Sequence, residues 1–319
     1  MCSTRARREV LALDIGGTKL AAGVVDSSGG LRDRRIVATE RRAGAEIVLG
    51  HALGLVEELV AGEREAGRTP RALGVSTNGL TREDGVDLAP AVDGWEKLRI
   101  PAELRRRFPK LRTCIVNDVK AATAAEMMWG ALRGVSEGLY VNLGTGLAAG
   151  IVSGGRLRQG AHGAAGEVGY IVPSLKALAE RQPGQAVLEE QIGGRGVELW
   201  TETELGRPVT AAELLGLAQH DERALRLQER LLDEIALWVA NVAVVVDPSR
   251  VVLGGGMVRS AAQVCRRVQE TIGLVAPFGA EVLPAHFGAE SALLGAGAVA
   301  QLGETELDPS RPERADDLL

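Results

Sequence analysis

The residues at positions 14–19 read Asp-Ile-Gly-Gly-Thr-Lys and close an apolar run near the start of the chain. Gly16 and Gly17 carry no Cβ, so the backbone can turn tightly there and approach a ligand closely. Backbone N–H groups, the Thr18 hydroxyl and the Lys19 ammonium are donors suited to a polyphosphate, and Asp14 suits its magnesium ion. An ordinary Gly-Gly hairpin turn would explain the same residues, so this motif alone leaves both interpretations open.

Two further glycine-rich turns follow apolar runs later in the chain. The first is Gly144-Thr145-Gly146, which lies between two apolar segments, and the second is the run Gly254–Gly256. One such turn is weak evidence for a function, because glycine occurs in turns of every kind. Three of them in one chain predict two halves that close on a nucleotide.

The pair Asn117-Asp118 lies where an apolar run gives way to an alanine-rich stretch. In a functional interpretation, Asp118 is a general base that accepts the proton of a substrate hydroxyl. In a structural interpretation, it is the N-cap of the following helix, a position that Asp and Asn both favour. The two are compatible, because either residue of the pair can cap the helix.

Periodicity predicts an α/β protein in which strands position these residues. The predicted strands are 10–15, 20–26, 72–76, 112–117, a strand-turn-strand at 138–153, and 250–254. The predicted helices are 45–66, 119–132, 210–220, 222–245, 258–272 and 291–302. Two strand-turn-strand units about 130 residues apart indicate a duplicated architecture.

Composition narrows the function classes. A length of 319 residues allows about two domains, and a net charge of −5 gives no support to nucleic-acid binding. Cys2, Cys114 and Cys265 are odd in number and far apart, which argues against a disulfide framework and for the cytoplasm. The first ten residues are too polar for a signal peptide, and no apolar run is long enough for a membrane span.

Taken in chain order, five motifs resemble those of the ROK family (repressor, open reading frame, kinase) of sugar kinases, over about residues 9–302. They are the segments 14–19, 117–118, 144–146, 163–169 and 252–256. The resemblance implies a two-lobed hexokinase/actin-like (ribonuclease H-like) ATPase fold with duplicated mixed sheets. The family's regulators carry a DNA-binding domain before the first loop, and with only nine residues before the first strand in this sequence we do not expect a repressor.

The resemblance also implies lobe boundaries. Residues 1–118 form a small N-terminal lobe with the first phosphate loop, and 119–290 form a large lobe with the second phosphate and adenosine loops. The last helix, about 291–303, is a candidate to pack back on the small lobe. Residues 304–319 are expected to be a flexible tail, and a homodimer is expected.

The site residues implied by the resemblance fall into three groups. Those for ATP are Asp14, Gly16, Gly17, Thr18, Lys19, Gly144, Thr145, Gly146, Gly254, Gly255 and Gly256. Those for the substrate are Asn78, Gly79, Asn117, Asp118, Glu167, Tyr170 and Glu189. Asp118 is the implied catalytic base, ATP and Mg²⁺ are the implied cofactors, and Asp14 holds the magnesium ion through a water or a phosphate.

The chain departs from the family at the zinc site. The ligand positions carry Tyr170, Glu180, Gln182 and Val187, and none of these is the thiolate or imidazole that a structural zinc site requires. We therefore predict no zinc. The loop is instead expected to be held by packing of Tyr170, Ile171, Val172, Leu175 and Leu178.

The substrate-binding residues also differ. Tyr170 replaces a sugar-contacting His, Ala91 replaces a hydroxyl-binding Asn, and Asn78 replaces a common Pro. Lys120 replaces a small or neutral residue, and Trp95 is a candidate wall of the pocket. Glu167 and Glu189, both sugar-contact positions, persist.

These changes favour a modified hexose over glucose. The expected reaction is phosphorylation of the primary hydroxyl of a kanosamine-type amino sugar, as in antibiotic biosynthesis. The alternatives are a valiolone-type C7-cyclitol 7-kinase, a glucokinase, a non-catalytic sugar or nucleotide sensor, and a phosphatase or nucleotide hydrolase on the same fold. Asp118 favours an enzyme over a sensor, and the two glutamates favour a polyol acceptor over water.

Overall fold

Two five-stranded sheets organise the chain in the computed structural model, which describes residues 9–82, 84–89 and 92–303, without the side chains of 259–261. The strands are β1 (Val10–Ile15), β2 (Lys19–Val25), β3 (Leu31–Ala38), β4 (Ala72–Thr77), β5 (Leu80–Thr81), β6 (Val86–Asp87), β7 (Arg112–Asn117), β8 (Gly138–Leu143), β9 (Leu147–Ser153), β10 (Arg156–Leu157), β11 (Arg250–Gly254) and β12 (Glu281–Pro284). The α-helices are α1 (Ala45–Glu65), α2 (Ile100–Arg107), α3 (Asp118–Trp129), α4 (Leu175–Glu180), α5 (Val187–Ile192), α6 (Gly194–Leu205), α7 (Ala211–Leu217), α8 (Glu222–Val246), α9 (Ala261–Val275) and α10 (Ser291–Leu302).

The two sheets share one strand pattern. The first has the order β3-β2-β1-β4-β7, and the second has the order β10-β9-β8-β11-β12. In each sheet an antiparallel hairpin, β1–β2 or β8–β9, is followed by two strands parallel to its first strand. This is the duplicated mixed-sheet arrangement that the sequence predicts.

The chain divides into two compact units, each built around one sheet. Among the described residues, the first unit takes those up to Arg133, the segment Arg156–Ala164 and those from Ala289 onward. The second unit takes Gly134–Gly155 and Ala165–Gly288. None of the helices in the described part of the chain is long and apolar enough to cross a bilayer.

The first unit extends beyond the predicted lobe boundary at residue 118. Helix α3 belongs to this unit because it packs along α10, and α10 in turn covers β1 and β4. The last helix therefore lies on the first sheet, although it begins 174 residues after β7, the last strand of that sheet in the sequence. The tail at 304–319 lies outside the described residues.

Helix α1 shows why the first unit folds around its sheet. Its buried positions Val48, Leu55, Val56 and Leu59 recur at helical spacing, so they form one apolar face. That face packs into the same core as the interior of β1 and β2. In the second unit, α8 plays the corresponding role over β8, and Asp221 caps its first turn by accepting from the amides of Arg223 and Ala224.

Candidate active site

Three parallel strands bring the predicted base and the first glycine turn to one edge of the first sheet. In their register, Asp14 of β1 is level with Ser76 of β4, and Ser76 is level with Val116 of β7. The carboxyl ends of parallel strands lie at the same edge of a sheet, where ligands of open α/β sheets bind. Asp14 and Asp118 therefore lie close together, near the ends of β1 and β7, with β4 between them.

Asp14 is a buried carboxyl group, only 8% exposed. Its burial removes hydration and raises its pKa to about 6, while the Ser76 hydroxyl opposes this rise. The Asp118 charge raises the pKa further, and the Lys19 charge lowers it. A divalent cation would compensate the two neighbouring carboxylates, so the residues present fit the predicted magnesium ion.

Within the Asn117-Asp118 pair, one residue caps helix α3 and the other is left as the proposed base. Asn117 is the N-cap of α3, and its Oδ1 accepts a hydrogen bond of 2.8 Å from the Lys120 amide. Asp118 accepts from the Val119 amide at 2.8 Å and keeps an exposed surface. Surrounding protein atoms remove part of its hydration and raise its pKa, an effect opposed by that amide and by the nearby Lys120 charge. The Asp118 carboxylate is therefore accessible to a substrate and not needed as the cap.

The first glycine turn is held by Thr39, a residue that no sequence motif indicates. The Gly16 amide donates to the Lys19 carbonyl at 3.1 Å, which closes the hairpin. Thr39, just after β3, donates its hydroxyl to the Gly16 carbonyl at 2.7 Å and its amide to the Thr18 carbonyl at 3.0 Å. Thr39 lies 21 residues beyond Thr18 and carries no motif, so only the pairing of β2 with β3 could have indicated it.

The residues after β4 correct one expectation. Asn78 and Gly79 follow β4 directly at the same sheet edge and are both partly exposed. Trp95 is fully buried, with its Nε1 donating to the Thr77 hydroxyl at 3.2 Å. It therefore supports the end of β4 from inside the core and does not wall a pocket. Ala91 lies outside the described residues.

The second sheet brings two glycine turns together at its own edge. Asn142 of β8 is level with Gly254 of β11, so the turn at 144–146 and the run 254–256 follow neighbouring parallel strands. Gly255 has φ +96°, and a Cβ there would lie 2.4 Å from the Leu143 carbonyl oxygen. A side chain therefore does not fit at Gly255 without moving the backbone.

Glu167, Tyr170 and Glu189 are neighbours within the second unit. Burial raises the pKa of the Tyr170 hydroxyl, the charges of Glu167 and Glu189 raise it further, and Arg181 opposes them. Glu189 also accepts a hydrogen bond of 2.8 Å from the amide of Leu147, directly after the Gly144-Thr145-Gly146 turn. This predicted sugar-contact residue therefore fixes a phosphate-loop candidate as well, a role that no sequence motif indicated.

The segment that corresponds to the family's zinc site does not pack through the side chains that the sequence predicts. Leu175 is 85% exposed, and Ile171 and Leu178 are exposed as well, so the predicted packing of these side chains is wrong. The buried residues of this region are Val168, Ala177, Val187, Leu188 and Ile192. The expectation fails for the two leucines because α4 turns them outward and buries Ala177, whereas Tyr170 and Val172 are partly buried.

No group of three or more His, Cys, Asp or Glu side chains in the described part of the chain is arranged to hold a metal ion. The absence of zinc remains a prediction that requires a measurement.

Comparison with known proteins identifies the family. The family model described as "ROK family" matches residues 10–302. The chain belongs to the ROK family. This ROK protein is 28% identical over 295 residues to an N-acetylmannosamine kinase of Escherichia coli O1:K1 / APEC, which covers 91% of this chain and 98% of that protein.

Solved structures agree with this assignment. The ROK hexokinase of Thermus thermophilus superposes with a TM-score of 0.79 at 30% identity, over 92% of this chain and 98% of the other. The ROK family glucokinase of Streptomyces griseus, solved with glucose and AMPPNP, gives a TM-score of 0.73 at 28% identity, over 92% and 100%. The predicted two-sheet hexokinase-type fold of this ROK protein is confirmed.

Proposed function

We propose that this ROK protein transfers the γ-phosphoryl group of ATP to a hydroxyl group of a sugar. The observation that carries the proposal is the accessible carboxylate of Asp118, which lies at the same sheet edge as Asp14 and the first glycine turn. Phosphoryl transfer depends mainly on positioning and charge neutralisation, and this edge offers a base, a buried carboxyl group and an ammonium. The similarity to a glucokinase solved with glucose and AMPPNP supports the same reaction class.

Each residue has a role in this proposal. The Asp118 carboxylate accepts the proton of the sugar hydroxyl as its oxygen attacks the γ-phosphorus, and ADP leaves with the electrons of the broken P–O bond. The Gly17 amide, the Thr18 hydroxyl and the Lys19 ammonium bind phosphate oxygens, whereas the Gly16 amide is used to close the hairpin. Asp14 would hold Mg²⁺ through a water or a phosphate, and the ion would neutralise charge on the phosphates.

The second unit supplies the remaining groups. Amides of the turn at 144–146 and the Thr145 hydroxyl would bind phosphate oxygens, and the backbone at 254–256 would border the adenosine. Glu189 keeps the first of these turns in place through the Leu147 amide. These roles require backbone groups and need no charged side chain.

We further propose an amino sugar of the kanosamine type as the acceptor, phosphorylated at its primary hydroxyl. Glu167 and Glu189 lie beside Tyr170, which cannot carry the positive charge that a histidine can. This group of residues therefore attracts a protonated amine more strongly than a neutral hydroxyl. A curated relative is named N-acetylmannosamine kinase, which supports an amino-sugar acceptor in general terms.

The test is an ADP-release assay with MgATP and a panel of glucose, N-acetylmannosamine, a kanosamine-type amino sugar and a C7 cyclitol. We expect the amino sugar to give the highest kcat/KM, and mass spectrometry to show one added phosphoryl group. Glucose as the best substrate would contradict the amino-sugar proposal and leave the kinase proposal intact. Sugar binding without ADP release would favour a sensor.

A matched variant tests the role of Tyr170 in this choice. Tyr170→His restores the family's residue, so we expect kcat/KM for glucose to rise and that for the amino sugar to fall. A shift of their ratio by about tenfold or more is the size expected for one polar contact to a substrate. Leu199→His is the control, because Leu199 is exposed, and we expect it to leave the ratio unchanged.

A further inference from the structure

Lys120 is a buried lysine in the first turn of α3, two residues beyond Asp118. Its side chain is only 1% exposed, and its Nζ donates a hydrogen bond of 2.6 Å to the carbonyl oxygen of Gly163. A buried ammonium is expensive unless it is hydrogen-bonded, and bonds from charged donors are the strong ones. The contact with Gly163 is therefore a firm link between two segments that lie 43 residues apart.

Gly163 lies in the segment of the first unit that follows β10 and has no regular secondary structure. Its φ is +73°, and a Cβ at this position would lie 2.7 Å from the carbonyl oxygen of Thr81. The Gly163 backbone is therefore held against Thr81 and by the Lys120 ammonium. The chain passes into the second unit at residue 165, and Glu167 follows Gly163 by four residues, with Tyr170 just beyond.

We propose that Lys120 is a positioning residue for the sugar-kinase reaction, because its ammonium ties the start of the base-bearing helix α3 to the Gly163 carbonyl. The link fixes the end of the segment that continues to the proposed sugar-binding residues Glu167 and Tyr170. Lys120 thus acts through backbone geometry and does not itself touch the reacting atoms. This inference rests on the proposed kinase function and adds a residue to it.

The first test is Lys120→Met, which keeps the length of the side chain and removes the donor. We expect KM for the sugar to rise by about tenfold or more, the size of a lost hydrogen bond from a charged group. KM for ATP should change much less, because the glycine turns are untouched. Lys110→Met is the matched control, since Lys110 is an exposed lysine of the same unit.

The second test asks whether the effect passes through Gly163. Gly163→Ala leaves Lys120 in place and displaces the acceptor carbonyl, so it should raise KM for the sugar in the same way. If the two residues act through one contact, the double variant is little worse than either single variant, as a double-mutant cycle requires. If Lys120→Met does not fold, Gly163→Ala alone tests the inference: a raised KM for the sugar supports it, and an unchanged KM for the sugar contradicts it.

Hydrogen exchange gives a readout that does not depend on activity. Peptides covering 158–164 should exchange faster in Lys120→Met than in the native protein and in Lys110→Met. Native exchange and native KM for the sugar in folded Lys120→Met would overturn the inference and leave the kinase proposal standing. Absence of sugar phosphorylation by the native protein would instead overturn the proposed function, and faster exchange in the variant would then still support the link.

Discussion

The turn after β1 and the turn after β8 occupy equivalent positions in two sheets of the same strand order, yet the groups around them differ. The first edge carries two carboxyl groups and a lysine, Asp14, Asp118 and Lys19, and the charges of Asp118 and Lys19 act on the pKa of Asp14. Around the second turn the structure offers backbone amides, Thr145, and Glu189, whose Oε2 accepts from the backbone.

This difference indicates a division of labour between duplicated halves. A base and a metal site need ionisable side chains whose pKa values are set by their surroundings, and the first unit supplies them in Asp14 and Asp118. Phosphate and adenosine can be bound by backbone donors and by close approach of glycines, and the second unit supplies those. The same strand-turn-strand scaffold can therefore serve both tasks, because the chemistry depends on a few residues at the strand ends.

The largest expected effect is that of Asp118→Asn in the first unit. Asparagine keeps the size of the side chain but removes the carboxylate, so turnover should fall by about 10²–10⁴-fold, the usual contribution of a positioned general base. Calorimetric titration should show that ATP binding survives. Asp93→Asn is the control, because Asp93 is exposed in the same unit. Near-normal turnover of Asp118→Asn would show that Asp118 is not the general base, and would contradict the proposed difference between the two units.

The next effect concerns the stability of the metal-free protein. The pKa of Asp14 is raised from 3.8 to about 6 by burial, so the folded state binds its proton more tightly than the unfolded state does. The stability from this proton is fully present below about pH 4 and is lost as pH rises through about 6. Asp14→Asn should therefore increase the free energy of unfolding by about 3 kcal/mol at pH 8, and by about half that at pH 5.

Urea denaturation in EDTA at the two pH values measures this gain, and kinetics of the same variant should show a raised KM for MgATP. Equal stability of the native protein and Asp14→Asn at pH 8 would show that folding does not raise the pKa of the Asp14 carboxyl group.

A smaller effect is expected in the second unit. Gly255→Ala introduces a Cβ that would lie 2.4 Å from the Leu143 carbonyl oxygen at a φ of +96°. Backbone strain of about 1–3 kcal/mol should weaken ATP binding by about 10-fold or more while leaving the pH dependence of turnover unchanged. Gly279→Ala is the control, since a Cβ at Gly279 meets nothing within 4 Å. A changed pH profile of turnover in Gly255→Ala would contradict the proposal that the second unit binds ATP without affecting the ionisable groups of the first unit.

The smallest effect is expected from a zinc chelator, because we predict that the protein holds no structural zinc. Since Tyr170, Glu180, Gln182 and Val187 stand at the family's ligand positions, elemental analysis should find less than one zinc per chain. A zinc chelator should leave the melting temperature and the activity unchanged. One tightly bound zinc per chain would mean that the second unit does contain a charged metal centre.

Local sequence was sufficient for several elements. The predicted helix at 222–245 matches α8 closely, because a long amphipathic pattern follows a capping aspartate, Asp221. Strands 10–15 and 20–26 were predicted within one residue at each end, because apolar runs flank a glycine turn. The edge strand β3 was missed, since half of its LRDRRIVA sequence is charged and most of the strand is exposed. Helices α4 and α5 were missed because each has only six residues, and α6 was missed because it begins with Gly194 and Gly196, which are weak helix formers.

The sequence by itself determined the residue types at the strand ends: Asp14, the glycine turns and the Asn117-Asp118 pair. These follow from local patterns, because each motif directly follows or ends its own apolar strand. Only the tertiary structure decided that Asn117 is the cap, that Trp95 is a core residue and that α3 belongs with α10. It also decided the link from Lys120 to Gly163, because burial and hydrogen bonding between distant segments depend on how the chain packs and leave no local pattern in the sequence.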